Sequence, residues 1–384
     1  MTPSCDVAVI GAGILGLAHA WSAAKRGLRV TLFERCPRAA GASIRNFGMV
    51  WPIGQPAGPP RETALLSRTR WLELRDTSGL WVNECGSLHL AYRGDELAVL
   101  EEFVSQEGGP TDDLRLLSAD EVLARSPAAN PESLLGGLWS ATELCVNPRT
   151  TIAHLPAHLR DRYNVDLQFH TPVTRVDGHK IIAGDGRTWH ADRVVVCSGS
   201  DFETLFPEVF RNAPLTLCKL QMLRTAAQPD ALRIGPHLAG GLTLRHYTSF
   251  RDCPSLQALC DRIDRETPEL NRYGIHVMAS QNDAGQVILG DSHEYGEEIS
   301  PFDKPEIDEL ILRELRRMIR LPDWTIAERW HGIYAKCTDG LVYESEPEPG
   351  VHVVVGPGGA GMTLSFGLAE QQWSRWAGPS RVEP

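Results

Sequence analysis

No stretch of this chain approaches the ~18 consecutive apolar residues that a membrane-spanning helix needs, so nothing in it reads as a span. Paired cysteines are missing too. The nine cysteines are scattered, none stands in a Cys-x-x-Cys pair, and none has zinc-ligand spacing with histidine. That speaks against a disulfide framework, gives no reason to expect a metal centre, and fits a reducing compartment. Positive charge is scarce: 38 Lys and Arg against 49 Asp and Glu leave a formal net charge of -11. A field of that sign repels nucleic acid and anionic membranes, so neither is expected as a partner. No basic run precedes an apolar one near Met1, and the closing Arg-Val-Glu-Pro is not a peroxisomal signal; a cytoplasmic protein is expected. Internal repeats and low-complexity tracts are absent. At 384 residues the chain suits two domains.

What is present begins at the N-terminus. Cys5 to Ile10 is a β-branched run ending at Gly11, and Ile14 to Arg26 carries apolar residues at helical spacing before Gly27, which is placed to stop a helix. Arg29 to Phe33 reads as a second strand. Gly11-Ala-Gly13-Ile14-Leu15-Gly16 is therefore a GxGxxG turn between a strand and a helix, with Glu34 at the end of the next strand. In that context it is a dinucleotide fingerprint. Gly11 permits the tight turn, Gly13 lets the backbone approach the pyrophosphate, and Gly16 lets the helix lie close on the strand. The helix N-terminus offers free N–H groups to the phosphates, and Glu34 would accept the ribose hydroxyls. Three features resemble flavoproteins and so imply FAD over NAD: the first strand lies at the extreme N-terminus, Val194 to Gly199 is similar to the strand-to-glycine motif that returns many flavoprotein chains to the nucleotide domain, and Gly356-Pro-Gly-Gly-Ala-Gly361 opens a last helix like the one that points at the flavin in such proteins.

Between these motifs, the segment from Pro37 to Pro60 is too irregular for a helix and too apolar for disorder, so it is expected to run over the cofactor. A helix is expected from Arg61 to Ser78 and another from Asp95 to Glu107. Strands are expected at Gly86 to Ala91, Leu167 to Val176, Arg193 to Cys197, Leu215 to Arg224, Gly241 to Tyr247, Gly274 to Ser280, Gln286 to Gly290 and Val351 to Val355. Asn282-Asp-Ala-Gly is a hairpin signal, and Pro305 to Ile319 an amphipathic helix. The fold class is α/β (α+β overall). An FAD-binding Rossmann-type domain of the glutathione-reductase-like layout would take residues 1–80, 148–214 and 325–384. An antiparallel-sheet substrate domain would take 81–147 and 215–324.

Taken in order, the fingerprint, Gly41-Ala-Ser43, Val194 to Gly199, Trp330-His-Gly332 with Asp339-Gly340, and the Gly356 to Gly361 loop resemble the D-amino-acid oxidase family, in its glycine oxidase and sarcosine oxidase branch. The run Gly41 to Gln55 is similar to FAD-dependent oxidoreductases associated with phosphonate breakdown. The resemblance implies an FAD site built from the fingerprint (Gly11, Gly13, Ile14, Leu15, Gly16), then Glu34 and Arg35, then Ser43, Arg45 and Asn46. Val173, Ser198 and Gly199 would join it on the adenine side, and Gly332, Gly358, Gly359, Gly361, Met362 and Thr363 on the flavin side. It implies hydride transfer from a carbon beside nitrogen to flavin N5, hydrolysis of the imine, and reoxidation by O₂ or another acceptor. Such chemistry rests on orientation, and no general base is nominated. Glycine oxidase-like members carry a carboxylate-binding Arg where this chain has Tyr334. The flavin-linking Cys of some sarcosine oxidases falls at Gly332, with Cys337 out of register, which implies noncovalent FAD. The implied substrate is a small amine, 2-aminoethylphosphonate or an N-methyl form, oxidised to phosphonoacetaldehyde.

A phosphonate wants several separate donors rather than one planar fork. Candidates are Arg45 and Asn46; Arg245, His246 and Tyr247; and Tyr334 and Lys336. Each could equally be structural, and Arg245 and His246, adjacent on an expected strand, would face opposite ways. Trp51 could roof the pocket or sit in the core. Lys219 shares a strand face with Gln221 and reads first as a salt-bridged surface lysine. Three other readings stay open on the sequence: an oxidase of glycine, sarcosine or another N-alkyl amino acid, a flavin-holding subunit of a larger dehydrogenase complex, and an NAD-dependent enzyme, which flavin absorbance of the purified protein would exclude.

Overall fold

A computed structural model describes residues 2–230, 232–296 and 298–376; the closing Arg-Val-Glu-Pro lies outside them. The chain opens with strand β1 (Ser4–Ile10), helix α1 (Ile14–Lys25) and strand β2 (Val30–Phe33). β1 pairs in parallel with β2 on one side and with Thr188–Val196 on the other, and Thr188–Val196 in turn pairs in parallel with Val351–Val355. Such strands are buried on both faces and should be continuously apolar. Val194, Val195, Val196, Val353 and Val354 are all fully buried. Among the described residues this sheet has eight strands, with antiparallel additions at Val173–Asp177, Lys180–Ala183 and Tyr343–Glu348.

A second sheet of nine strands, mostly antiparallel, is centred on Leu215–Ala227. Its longest pairing is with Ile326–Cys337, which joins Leu215↔Cys337 through Thr225↔Ile326. Residues 326–337, grouped with the nucleotide unit on sequence grounds, thus run in this sheet. A small third sheet of Met49–Val50, Leu144–Val146 and Val82–Asn83 lies between the two.

The last helix, Gly361–Trp376, is fixed by close contact. Gly367 sits where a Cβ would stand 2.1 Å from the Thr63 carbonyl of helix Pro59–Ser78. Phe366 meets Trp71 and Trp21 edge-on at centroid distances of 4.9 and 5.6 Å. Trp71 also donates its indole N–H to the Met362 carbonyl at 2.9 Å. These contacts hold the glycine-rich start of the last helix against the start of α1.

Three expected strands differ. Residues 241–250 form two short 3₁₀ turns, Gly241–Thr243 and Thr248–Phe250, because a backbone without a Cβ at Gly241 lies against the Glu96 side chain. The run from Leu167 breaks at His170, which takes φ +54°, ahead of Pro172. The strand expected from Gly274 begins only at Met278. Helix Pro148–Tyr163 was not anticipated, since Pro156 stands inside it. No helix among the described residues is long and apolar enough to cross a membrane.

Candidate functional site

The GxGxxG turn has the geometry its glycines require. A Cβ on Gly11, which holds φ +104°, would lie 2.3 Å from the Cys197 carbonyl oxygen, and one on Gly16 would lie 1.8 Å from the Gly11 carbonyl oxygen. A Cβ on Gly13 would come within 3.1 Å of Ser43 Oγ. α1 has no side-chain cap, and its first backbone bond is from Leu17 N–H to the Gly13 carbonyl. The Leu15 and Gly16 amides therefore have no intrahelical partner and remain available to an anion. Ser43 accepts the Ile14 amide at 2.9 Å.

Glu34 is buried and accepts the Ala12 and Cys36 amides, each at 3.0 Å. Each of its oxygens keeps a lone pair for a ribose hydroxyl. Nearby, Val173 is buried in one cluster with Ile10 and Phe33, and Arg35 pairs with Asp201 at 2.6 Å on the exposed edge. Gly199 takes φ +68°, and the Ser198 hydroxyl is buried without a partner. An orphaned buried hydroxyl, a bare helix start and two glycines, Gly11 and Gly16, with no room for a Cβ fit a bound dinucleotide.

The cradle opens into a cavity of about 250 Å³. One wall is the last-helix loop. A Cβ on Gly358 would lie 3.3 Å from Lys336 Cγ, one on Gly359 would lie 3.5 Å from the Tyr334 hydroxyl, and one on Gly361 would lie 3.6 Å from Ile14. Gly332 lies over Arg45 and Leu220, each 3.4 Å from where its Cβ would be. Met362 and Thr363 line the same wall.

The substrate candidates separate into two groups. Arg45, Trp51, His246, Tyr247, Tyr334 and Lys336 line the cavity. Arg45 also donates to the His331 carbonyl at 3.3 Å. Trp51 is buried, its amide donates to Thr363 Oγ1 at 2.9 Å, and Tyr247 stands 6.1 Å from its ring. Tyr334 is buried beside Cys218, and burial first, then Cys218 and Tyr295, pushes its phenol pKa well up, so it is a hydrogen-bond donor and not a base. Lys336 Nζ lies 3.5 Å from the Tyr295 hydroxyl and has no ion pair among the described residues. Asn46 also lines the cavity, but its amide is committed to the loop: it donates to the Ala42 and Ser43 carbonyls and accepts the Gly48 amide. Arg245 turns away, donating to the Ile275 carbonyl at 2.9 Å and to Asn271. Lys219 is not a surface lysine. It is buried, with Nζ 2.6 Å from the Phe302 carbonyl and 2.9 Å from Asp303, on the face opposite the cavity.

Other residues carried no sequence signal. His276 and His293 join His246 at the cavity, with Asp291 beside them. No metal centre was expected, yet these three histidines are the one group of metal-ligating side chains brought together among the described residues. Glu143 was likewise unmarked. It is fully buried and accepts the Ile53 amide (3.1 Å), the Ser87 hydroxyl (2.9 Å) and the Thr142 hydroxyl (2.7 Å), tying the loop that carries Trp51 to the second sheet. Glu143→Ala would strand these donors and is expected to lower stability by about 2–4 kcal/mol. Chemical denaturation measures this; a loss under about 1 kcal/mol would mean that water replaces the carboxylate.

Comparison with known proteins bears on what this site holds. A family model described as DAO, FAD dependent oxidoreductase, matches residues 6–371. An opine oxidase subunit of Agrobacterium tumefaciens is 24% identical over 96% of this chain and 92% of its own length. Glycine oxidase of Geobacillus kaustophilus is 26% identical over 95% of this chain and 91% of its own. The crystal structure of the Geobacillus glycine oxidase superposes with a TM-score of 0.74 at 21% identity, covering 97% of this chain and 94% of that one.

Proposed function

This chain belongs to the DAO family of FAD-dependent oxidoreductases, and from that premise we propose that it oxidises the C–N bond of a small amine bearing an anionic group, with 2-aminoethylphosphonate or its N-methyl form as substrate. Bound FAD would supply the two-electron acceptor for the hydride lost from the substrate carbon, and hydrolysis of the resulting imine would give phosphonoacetaldehyde and ammonia or methylamine. O₂ is the proposed final acceptor, and the flavin is held without a covalent bond.

One observation supports the phosphonate over a carboxylate. The cavity presents its cation as Lys336, a point charge, flanked by the phenols of Tyr295 and Tyr334 and by imidazoles. The one arginine on that wall, Arg45, also donates to the backbone of the neighbouring strand. Separate donors around one charge suit a tetrahedral dianion, whereas a planar carboxylate favours a bidentate arginine. The start of the last helix faces the same cavity, and its dipole favours negative charge there. Trp51 and Tyr247 put aromatic surface on the cavity wall. Both halves of the chain reach the cavity: the strands of the nine-stranded sheet bring Leu220, Met222, Tyr334 and Lys336 to it, and the N-terminal and last-helix segments bring Arg45, Trp51 and Thr363.

Anaerobic mixing with a panel of amines tests this reading. Aminoethylphosphonate and its N-methyl form should bleach the oxidised-flavin band, and glycine, sarcosine and D-alanine should not. Bleaching by the amino acids alone would assign the site to that class instead.

The likeness to a subunit of an opine oxidase along almost the whole chain favours a second reading, in which the same chemistry runs in a larger assembly. Release of H₂O₂ by the isolated chain would argue against it. Bleaching without reoxidation by O₂ would support it.

A further inference from the structure

We propose that His246, His276 and His293 form a binding site for one divalent transition-metal ion, with an open coordination position toward the substrate cavity. The ion site stands apart from the substrate reading; only the use of its open position rests on the cavity being the substrate site. The three imidazoles come from separate segments: the turn after Gly241–Thr243, the approach to Met278–Gln281 and the approach to Glu294–Gly296. Their ring centroids lie 4.0, 4.4 and 5.0 Å apart, and one ring nitrogen from each lies within 4.8 Å of the others. Nitrogens about 2.0–2.1 Å from a tetrahedral zinc stand roughly 3.4 Å apart, so the rings, which stand at interplanar angles of 17°, 33° and 41°, would turn their nitrogens inward to close on an ion.

The groups are unsatisfied without an ion. His276 is buried, and neither of its ring nitrogens has a hydrogen-bond partner. His293 uses Nδ1 on the Gly274 carbonyl at 3.2 Å, which leaves Nε2 free. Asp291 is buried 3.2 Å from His276 Nε2 and 3.9 Å from His293 Nε2, and its Oδ1 has no hydrogen-bond partner. Buried polar groups without partners are costly, and each needs an explanation. A divalent ion would take the lone pairs of the ring nitrogens and balance the carboxylate. Asp291 would then be the positioning carboxylate behind a ligating histidine.

Three imidazoles with a fourth position open is a donor set suited to zinc, and it also accepts cobalt, nickel or copper. Lys336 faces the same cavity and lowers the affinity for a bare ion. It also attracts the anion that would occupy the open position. An anionic oxygen of the substrate can therefore bridge the metal and Lys336, a role that no arginine fork fills here.

The test uses the FAD-loaded full chain, stripped with a chelator and titrated with Zn(II) or Co(II). We expect about one ion per chain, three imidazole nitrogens at about 2.0–2.1 Å by X-ray absorption, and tetrahedral Co(II) bands to the red of the flavin. His276→Ala should abolish binding with flavin content retained, and Asp291→Asn should weaken it about 10–100-fold. Wild-type protein that takes up no ion, or whose ion has no imidazole neighbours, overturns the proposal even if a variant fails to fold. Full bleaching of the metal-free enzyme by aminoethylphosphonate, with no change on adding Zn(II), overturns the bridging role and leaves the substrate reading intact. An ion bound at the histidines of an enzyme that no aminophosphonate bleaches supports the site and rejects the substrate.

Discussion

Gly11→Ala is expected to purify without flavin colour. The new Cβ would have to exist at φ +104° and would lie 2.3 Å from the Cys197 carbonyl oxygen. The backbone conformation alone costs about 1–3 kcal/mol, and the overlap adds about 1–3 kcal/mol. The turn cannot relax cheaply. Gly11 N–H donates to the Phe33 carbonyl at 2.8 Å, and Cys197 N–H donates to the Ile10 carbonyl at 2.8 Å, so the turn is bonded to the strands on both sides. Displacing Gly11 also moves the carbonyl against which Gly16 sets the start of α1, and with it the Leu15 and Gly16 amides. A loss of roughly 100-fold or more in FAD affinity follows from about 2.7 kcal/mol. The ratio of flavin to protein absorbance reads it directly. Gly27→Ala is the control: it carries a comparable strain at φ +79° but meets nothing within 4 Å and lies at the far end of α1. It should lower the melting temperature and keep its flavin. Equal flavin content in both variants would remove the phosphate cradle from this turn.

The contrast between these two glycines also shows which parts of the structure were legible in the sequence. β1, α1 and β2 could be read almost to the residue because strand, turn, helix and acid follow one another within a single local unit. The last-helix loop was readable for the same reason. The substrate half was not. His246, His276 and His293 sit in three connecting segments, each an isolated histidine in its own neighbourhood, and only the pairing of the second sheet brings them together. Helix Pro148–Tyr163 was hidden by Pro156, whose missing amide weighs against a helix in any local reading. Residues 241–247 alternate like a strand, yet two adjacent glycines let the backbone turn against Glu96 instead. Asn46 and Arg245 are polar in the sequence and were candidate ligands; each spends its donors on backbone carbonyls or a neighbouring side chain, which composition does not reveal.

Lys336→Met should raise KM for anionic amines by about 10–100-fold, the loss of a charge-assisted hydrogen bond worth about 1.5–3 kcal/mol. Methionine is the informative replacement because the lysine has two parts. Its stem covers Gly358, with Cγ 3.3 Å from the position a Cβ would take there, so the stem shapes the loop at the start of the last helix. Its ammonium lies 5.1 Å from the Tyr295 ring centroid and 3.5 Å from that hydroxyl, facing the cavity. An unbranched apolar side chain keeps the first part and removes the second. Flavin content and melting temperature should therefore stay near wild type while substrate binding weakens. Ionic strength separates charge from shape: salt should raise the wild-type KM by screening the ammonium from the incoming anion, and should move the variant far less. An unchanged KM in a fully flavinated Lys336→Met enzyme would mean that the anion is held elsewhere on the wall. Arg45 and the histidine cluster would then be the groups left to hold it, since Arg245 is turned away and Lys219 faces the opposite side of its strand.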